Sequence, residues 1–218
     1  MTTATFSGPP RFAAHELGFL LAGREDASAN RSRELLGIPV VNEGDELLRI
    51  GLSSLIARGY IEDNVEKVLP RNEAGLVGYT LGTATHWISF LAATTEKSDL
   101  TIFVQGETLC VMVRRAPVGT YDIVPLEPGS TVADAVEKGA QKLLDAHDDV
   151  AIMLRAASTT DDGALFVRRS NGSSWAFTNS PVFEDDPSWP AADAEVTDTT
   201  REGAFAAVHE IVTRYAPV

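Results

Sequence analysis

Apolar and polar positions change rhythm along this chain. Up to about Leu81 the apolar residues recur at helical spacing. From Trp87 to Val124 they alternate as strands do. A helical stretch follows at Thr131–Ala146, strands return, and Arg201–Tyr215 reads as a closing helix. The connections between the strands are short, which predicts antiparallel neighbours rather than a series of parallel crossovers. The expected fold class is α+β, an antiparallel meander flanked by helices with a helical N-terminal segment. The expected organisation is a flexible leader over residues 1–11 and a single domain over 12–218.

The individual elements follow from the same patterns. Phe12–Ala22 reads as a helix stopped by Gly23, and the polar run Arg24–Arg33 as a loop or loose turn. Glu43–Arg58 reads as a helix that buries Leu47, Leu48, Gly51, Leu52, Leu55 and Ile56, with Gly59 as its stop. Asn72–Thr83 contains three glycines and is read as a short helix. Trp87–Ala93, Leu100–Gln105, Thr108–Arg115 and Thr120–Leu126 are expected strands, the middle two joined tightly through Gln105-Gly106-Glu107. Ser130 or Thr131 can cap the next helix, with Asp134 in its first turn. Val150–Ala157, Ala164–Arg169 and Ser174–Phe177 are further strands, the last two joined at Asn171-Gly172. Ser180–Thr200 is expected to be one long loop.

The chain has 218 residues and a formal charge of −13. Nucleic acid and anionic membrane surfaces are poor partners for such a charge, because both are held by concentrated Lys and Arg. Cys110 is the one cysteine, so no internal disulfide can form, which fits a reducing cytoplasm. No stretch approaches the length of a membrane span, and the first residues lack the basic start and apolar run of a secretory signal.

A search for chemistry finds little. His15, His86, His147 and His209 lie far apart, and His209-Glu210 does not continue into a His-Glu-x-x-His pattern. The carboxylate pairs Asp148-Asp149, Asp161-Asp162 and Asp185-Asp186 lack the spacing of a calcium loop. Gly51-Leu-Ser-Ser-Leu55 lacks the second glycine of a nucleophile elbow and lies within a helix. No phosphate-binding glycine loop is present. Cys110 stands in an apolar strand pattern with no adjacent base. The expectation is therefore no catalytic residue, no metal and no cofactor. Arg114-Arg115 and Arg168-Arg169 are the two adjacent basic pairs. They read as protection of strand edges, or as holders of an acidic ligand.

The end of the second helix, Ala57-Arg-Gly-Tyr60 leading into a strand, also occurs in winged-helix recognition helices. Here that helix carries just Arg49 and Arg58 as basic residues.

Three passages carry a family resemblance. They are the opening helix with His15-Glu-Leu, the helix ending Leu55-Ile-Ala-Arg-Gly-Tyr60, and the meander closing in Tyr121-Asp-Ile-Val-Pro-Leu126 ahead of a helix. The layout resembles the EspG-like proteins of actinobacteria, cytoplasmic chaperones of type VII (ESX) secretion. The resemblance implies binding rather than catalysis: members of that family shield the apolar tip of a secreted helical partner. The alternative is a regulatory or small-ligand-binding α+β domain with a degenerate winged-helix-like N-terminal part. An enzyme with a pocket built from scattered residues is a third reading.

Under the binding reading, the candidate contact lies in Ser180–Thr200. That stretch holds six acidic residues and no basic one. Loops of such length inside a domain are uncommon without a role. Phe183 and Trp189 could anchor a partner, and Asp185, Asp186 and Asp193 could attract one.

Overall fold

A computed structural model describes residues 9–42, 44–64, 67–94, 98–147, 150–170, 174–179 and 196–216. The elements are β1 (Arg11–Ala13), α1 (Ala14–Leu20), α2 (Ala27–Leu36), α3 (Glu46–Ala57), β2 (Ile61–Asn64), β3 (Lys67–Pro70) and α4 (Asn72–Gly82). Then come β4 (His86–Ala93), β5 (Ser98–Gln105), β6 (Cys110–Ala116), β7 (Thr120–Pro125) and α5 (Val132–Ala146). β8 (Ala151–Ser158), β9 (Asp162–Ser170), β10 (Ser174–Thr178), β11 (Thr197–Thr199) and α6 (Arg201–Tyr215) complete the chain. Nine strands form an antiparallel sheet in the order β1-β7-β6-β5-β4-β8-β9-β10-β11, and β2 and β3 form a separate hairpin. The fold is α+β, and the meander β4 to β7 is present as the alternation of apolar residues predicts.

The chain divides into two compact units, Met1–Thr85 with Val104–Pro125 and His86–Phe103 with Leu126–Val218. In the first, α1 packs against both α3 and α4, and α2 packs on α4. Glycines set these distances. A Cβ at Gly78 would come within 3.3 Å of Leu20 Cβ, and one at Gly51 within 3.0 Å of Phe19 Cβ. Ser32 donates to the Leu81 carbonyl at 2.6 Å and ties α2 to α4.

Three expectations for this unit need correction. The chain at Phe12 is a strand, not the start of a helix. Phe12 pairs with Tyr121, and Arg11 holds Asp122 through two hydrogen bonds of 2.6 and 2.9 Å. The helix begins only at Ala14, where the Glu16 carboxylate takes the N–H of Ala13. Residues 27–36 are a helix, not a loop. Asp26 caps it by accepting from Ala29 N–H at 2.8 Å, and Gly37 closes it at φ +66°. Its buried positions are Ala29, Ser32, Arg33 and Leu36. Small and polar residues fill its inner face, so no apolar period marks it. Third, α3 buries only Gly51 and Leu55 of the six residues expected inside.

The β6–β7 hairpin turns through Val118 and Gly119, both in the left-handed region at φ +65° and +67°. Val118 is a β-branched residue there, and it is 98% exposed, so no packing offsets the strain. Val118→Asn should raise stability by about 1 kcal/mol, because Asn tolerates this conformation. A rise in the denaturant midpoint at unchanged slope would show it.

In the second unit α6 lies on β8, β9 and β10, and α5 packs on α6 and β4. Thr131 caps α5 by accepting from Asp134 N–H at 3.0 Å, while the Asp134 carboxylate accepts from Thr131, as the sequence implies. Thr200 caps α6 through Gly203 N–H at 3.2 Å. The core here is built on Ile88, Ile152, Leu154, Val136, Leu144, Val208 and Val212, all buried. One further expectation changes: Thr197–Thr199 is a strand paired with β10, not part of a loop.

Candidate protein-binding surface

The predicted contact residues Phe183, Asp185, Asp186, Trp189 and Asp193 all lie outside the described residues. Their anchorage is described. Phe177 on β10 faces Thr197 on β11 across an antiparallel pair, so the described residues on either side of that stretch lie at adjacent positions. At that place in the second unit is a cleft of about 690 Å³. Phe177, Asn179, Thr197 and Thr199 line one side. Gly203, Ala206, Ala207, Glu210 and Arg214 of α6 line the other, and Asp162 and Tyr215 close an end. Gly163 lets the Tyr215 ring pack against β9, since a Cβ there would stand 2.6 Å from the ring.

Two pairs of polar groups at the cleft are joined. Arg214 donates to Glu210 at 2.8 Å, and the Tyr215 hydroxyl donates to Asp161 at 3.1 Å. Burial, then the Asp161 carboxylate, push the Tyr215 phenol above its ordinary pKa. Neither His nor Cys lines this cleft. Among the described residues, no three His, Cys, Asp or Glu side chains come together as a metal site.

The remaining chemical candidates are dispersed. His209 Nδ1 lies 2.7 Å from Glu137 and joins α6 to α5, as Arg201 does with Asp145. Burial lowers the His86 pKa. Cys110 is half-buried. Arg115 donates to the Leu36 carbonyl at 3.0 Å, alongside the Tyr121 hydroxyl at 2.9 Å, and so anchors the loop after α2. That is a different duty from edge protection.

The first unit shows a feature that the sequence reading missed. Among the described residues, the exposed large apolar side chains are Val40, Leu47, Ile50, Ile56, Leu69, Leu76, Tyr79, Val118 and Val196, and all but Val196 belong to the first unit. On α3, Leu47 is 46% exposed and Ile50 43%. Charge divides the other way. The first unit carries ten Lys and Arg against thirteen Asp and Glu, the second eight against eighteen. Apolar exposure and acidity thus fall on different parts of the chain. A sequence signal for the former did exist. Apolar residues at 47, 48, 50, 52, 55 and 56 spread around most of α3, wider than one buried stripe requires.

A polar clamp holds α3 in place. The Glu16 carboxylate is 1% exposed. It accepts from Ser54 Oγ at 2.6 Å, Arg58 Nη1 at 2.6 Å and Ala13 N–H at 2.8 Å. Arg58 also donates to the Arg11 carbonyl at 2.7 Å and lies over the rings of Phe12 and Tyr60, 5.5 and 4.8 Å from their centres. Burial alone would raise the Glu16 pKa. The hydrogen bonds from Ser54 and Ala13, and then Arg58, outweigh it and hold the group below its ordinary value.

No family model matches the chain, and no curated relative matches its sequence. Among solved structures it is similar to the type VII secretion system chaperone EspG5 of Mycobacterium tuberculosis, determined in complex with a PE25–PPE41 dimer. The TM-score is 0.55, over 95% of this chain and 96% of that chain, at 9% sequence identity. The two chains share a fold. No helix among the described residues is long and apolar enough to cross a membrane.

Proposed function

We propose that this chain is a non-enzymatic, chaperone-like protein-binding domain that acts in the cytoplasm on a type VII secretion substrate. The partner in this reading is helical, with an apolar tip that needs shielding. The fold shared with EspG5 along nearly the whole of both chains carries the reading. The exposed side chains of Leu47 and Ile50, one turn apart on α3, support it, since neighbouring exposed apolar residues mark binding. Phe183, Asp185, Asp186, Trp189 and Asp193 lie at or beside the contact in this proposal. Their carboxylates speed encounter with a basic partner, and the aromatic residues anchor it.

Calorimetric titration with PE–PPE-type heterodimers, PE25–PPE41 among them, should give a saturable complex. Changing Asp185, Asp186 and Asp193 together to Asn should slow association several-fold and flatten its salt dependence. Trp189→Ala should speed dissociation while the thermal transition stays in place. If no such heterodimer binds at near-millimolar concentration, the secretion reading fails. Unchanged kinetics in both variants would remove the acidic segment from it.

A second reading has its own observation. Helices α1, α2 and α3 followed by the β2–β3 hairpin give the element order of a winged helix. That favours a regulatory or small-ligand-binding domain with a degenerate winged-helix-like part, the cleft beside α6 serving as the ligand site. DNA is not its partner. Arg58 is engaged by Glu16 and the Arg11 carbonyl, and acidic residues outnumber basic ones in the first unit.

A further inference from the structure

The large sheet ends on one side at β1, and a strand at the end of a sheet offers its outward N–H and C=O groups to any other strand. The ladder to β7 says which groups those are. Ile123 N–H donates to the Pro10 carbonyl at 3.0 Å, and Ala14 N–H donates to the Gly119 carbonyl at 3.2 Å. Arg11 and Ala13, opposite Asp122 and Thr120, therefore hold their own backbone groups away from β7. Three of those four outward groups are taken. The Ala13 N–H goes to the Glu16 carboxylate at 2.8 Å, and the Arg11 carbonyl accepts from Arg58 Nη2 at 2.7 Å. The Ala13 carbonyl is the N-cap acceptor of α1. Proline removes donors on either side. Pro9 and Pro10 precede β1, and on β7 the register puts the nitrogen of Pro125 on the same outer edge as the Ile123 N–H that meets Pro10.

We infer that the Glu16–Arg58 pair locks this edge of the sheet, and that without it β1 pairs antiparallel with β1 of a second copy. The two side chains that tie α3 to α1 occupy the very backbone groups that such a pairing needs. With them in place the Arg11 N–H is the outward group left, and a single donor builds no ladder. An edge strand is complementary to itself in the antiparallel sense, so a second copy is a partner always at hand once the edge opens. The prolines at 9, 10 and 125 protect the same edge by a different means, which is what a single shared purpose predicts. β1 has three residues, so the contact it makes when opened is small and reversible. The inference concerns the first unit alone and does not depend on the secretion reading.

Sedimentation velocity of the full chain and its variants, from micromolar to near-millimolar concentration, tests it. The mass of Glu16→Ala should rise toward twice the monomer's at concentrations roughly tenfold or more below any at which the parent associates. Adding Ala13→Pro to Glu16→Ala should restore the parent's behaviour. The Ala13 φ of −80° suits proline, its N–H is not used by β7, and the ring blocks the edge where the carboxylate no longer does. Proline gives Ser54 and Arg58 no acceptor back, so the denaturant midpoint should stay below the parent's, and association that came from instability alone would persist. Leu144→Ala, which hollows the core of the second unit and leaves this edge untouched, should associate no more than the parent. Arg58→Met keeps the bond between Glu16 and Ala13 and frees the Arg11 carbonyl beside its own N–H. It should associate more weakly than Glu16→Ala, and it decides the matter if Glu16→Ala does not fold. A folded Glu16→Ala chain, or in its place Arg58→Met, that associates no more than the parent overturns the inference. So does a proline double variant that associates as readily as Glu16→Ala, or a Leu144→Ala chain that does.

Discussion

Replacing Glu16 with Ala is expected to lower the free energy of unfolding by about 2–4 kcal/mol, because buried polar groups lose their acceptor while the charge left behind, on Arg58, reaches solvent. The size follows from what the carboxylate joins. It sits 1% exposed where β1, α1 and α3 meet, and it accepts from the Ala13 backbone, the Ser54 hydroxyl and the Arg58 guanidinium. Without it, Ser54 and the Ala13 N–H lose their acceptor, and Arg58 loses its counter-charge. Glu16→Gln keeps the shape but not the charge, so it should cost less than Ala and still weaken the clamp. Chemical denaturation of both variants at neutral pH measures these costs.

The same group has a pH signature. Its folded pKa lies below the ordinary value of 4.5. A depressed carboxyl contributes stability in full above its unfolded pKa and loses it as pH falls through the folded value. The parent should therefore lose stability in that acid window, and Glu16→Gln should lose less there. Parallel acid limbs in the two proteins would show that other carboxylates set the acid response.

Much of this architecture is legible in the sequence where one physical cue acts alone. The strands β6, β7 and β8 announce themselves because most of their buried residues alternate, and the apolar pattern records that directly, while β5 buries four residues in a row and shows as a short apolar run. The cap at Thr131 and the stop at Gly59, at φ +72°, are local chemistry and need no tertiary context. What escapes is set by partners distant in sequence. Phe12 joins a strand because Tyr121 lies opposite, and nothing within reach of Phe12 along the chain says so. The helix α2 hides because it buries Ser32 and Arg33, whose polar atoms find the carbonyls of Leu81, Leu21 and Arg24. The face of α3 misleads for the opposite reason. Its apolar residues spread around most of the helix, and patterning cannot tell which of them the chain itself buries. The candidate contact in the acidic stretch rests on composition, and its residues fall outside those described.

Gly51→Ala gives the second large effect, and its sign runs against local propensity. In an isolated helix the exchange would stabilise by about 1 kcal/mol. Here a Cβ would strike the His15 carbonyl oxygen, and it would stand 3.0 Å from Phe19 Cβ. The first obstacle is backbone and cannot rotate away, so α3 must lift from α1. Overpacking of that kind typically costs about 1–3 kcal/mol and occasionally more. The lift also stretches the bonds from Ser54 and Arg58 to Glu16, which span the same two helices. The net expectation is a loss of about 2–3 kcal/mol, read as a lowered denaturant midpoint at unchanged slope. A control separates contact from propensity. At Gly139 in α5 an added Cβ would meet nothing within 4 Å, so Gly139→Ala should stabilise by about 1 kcal/mol. If both exchanges stabilise, the backbone of α1 does not lie against Gly51, and the clamp between α1 and α3 is not built in this way.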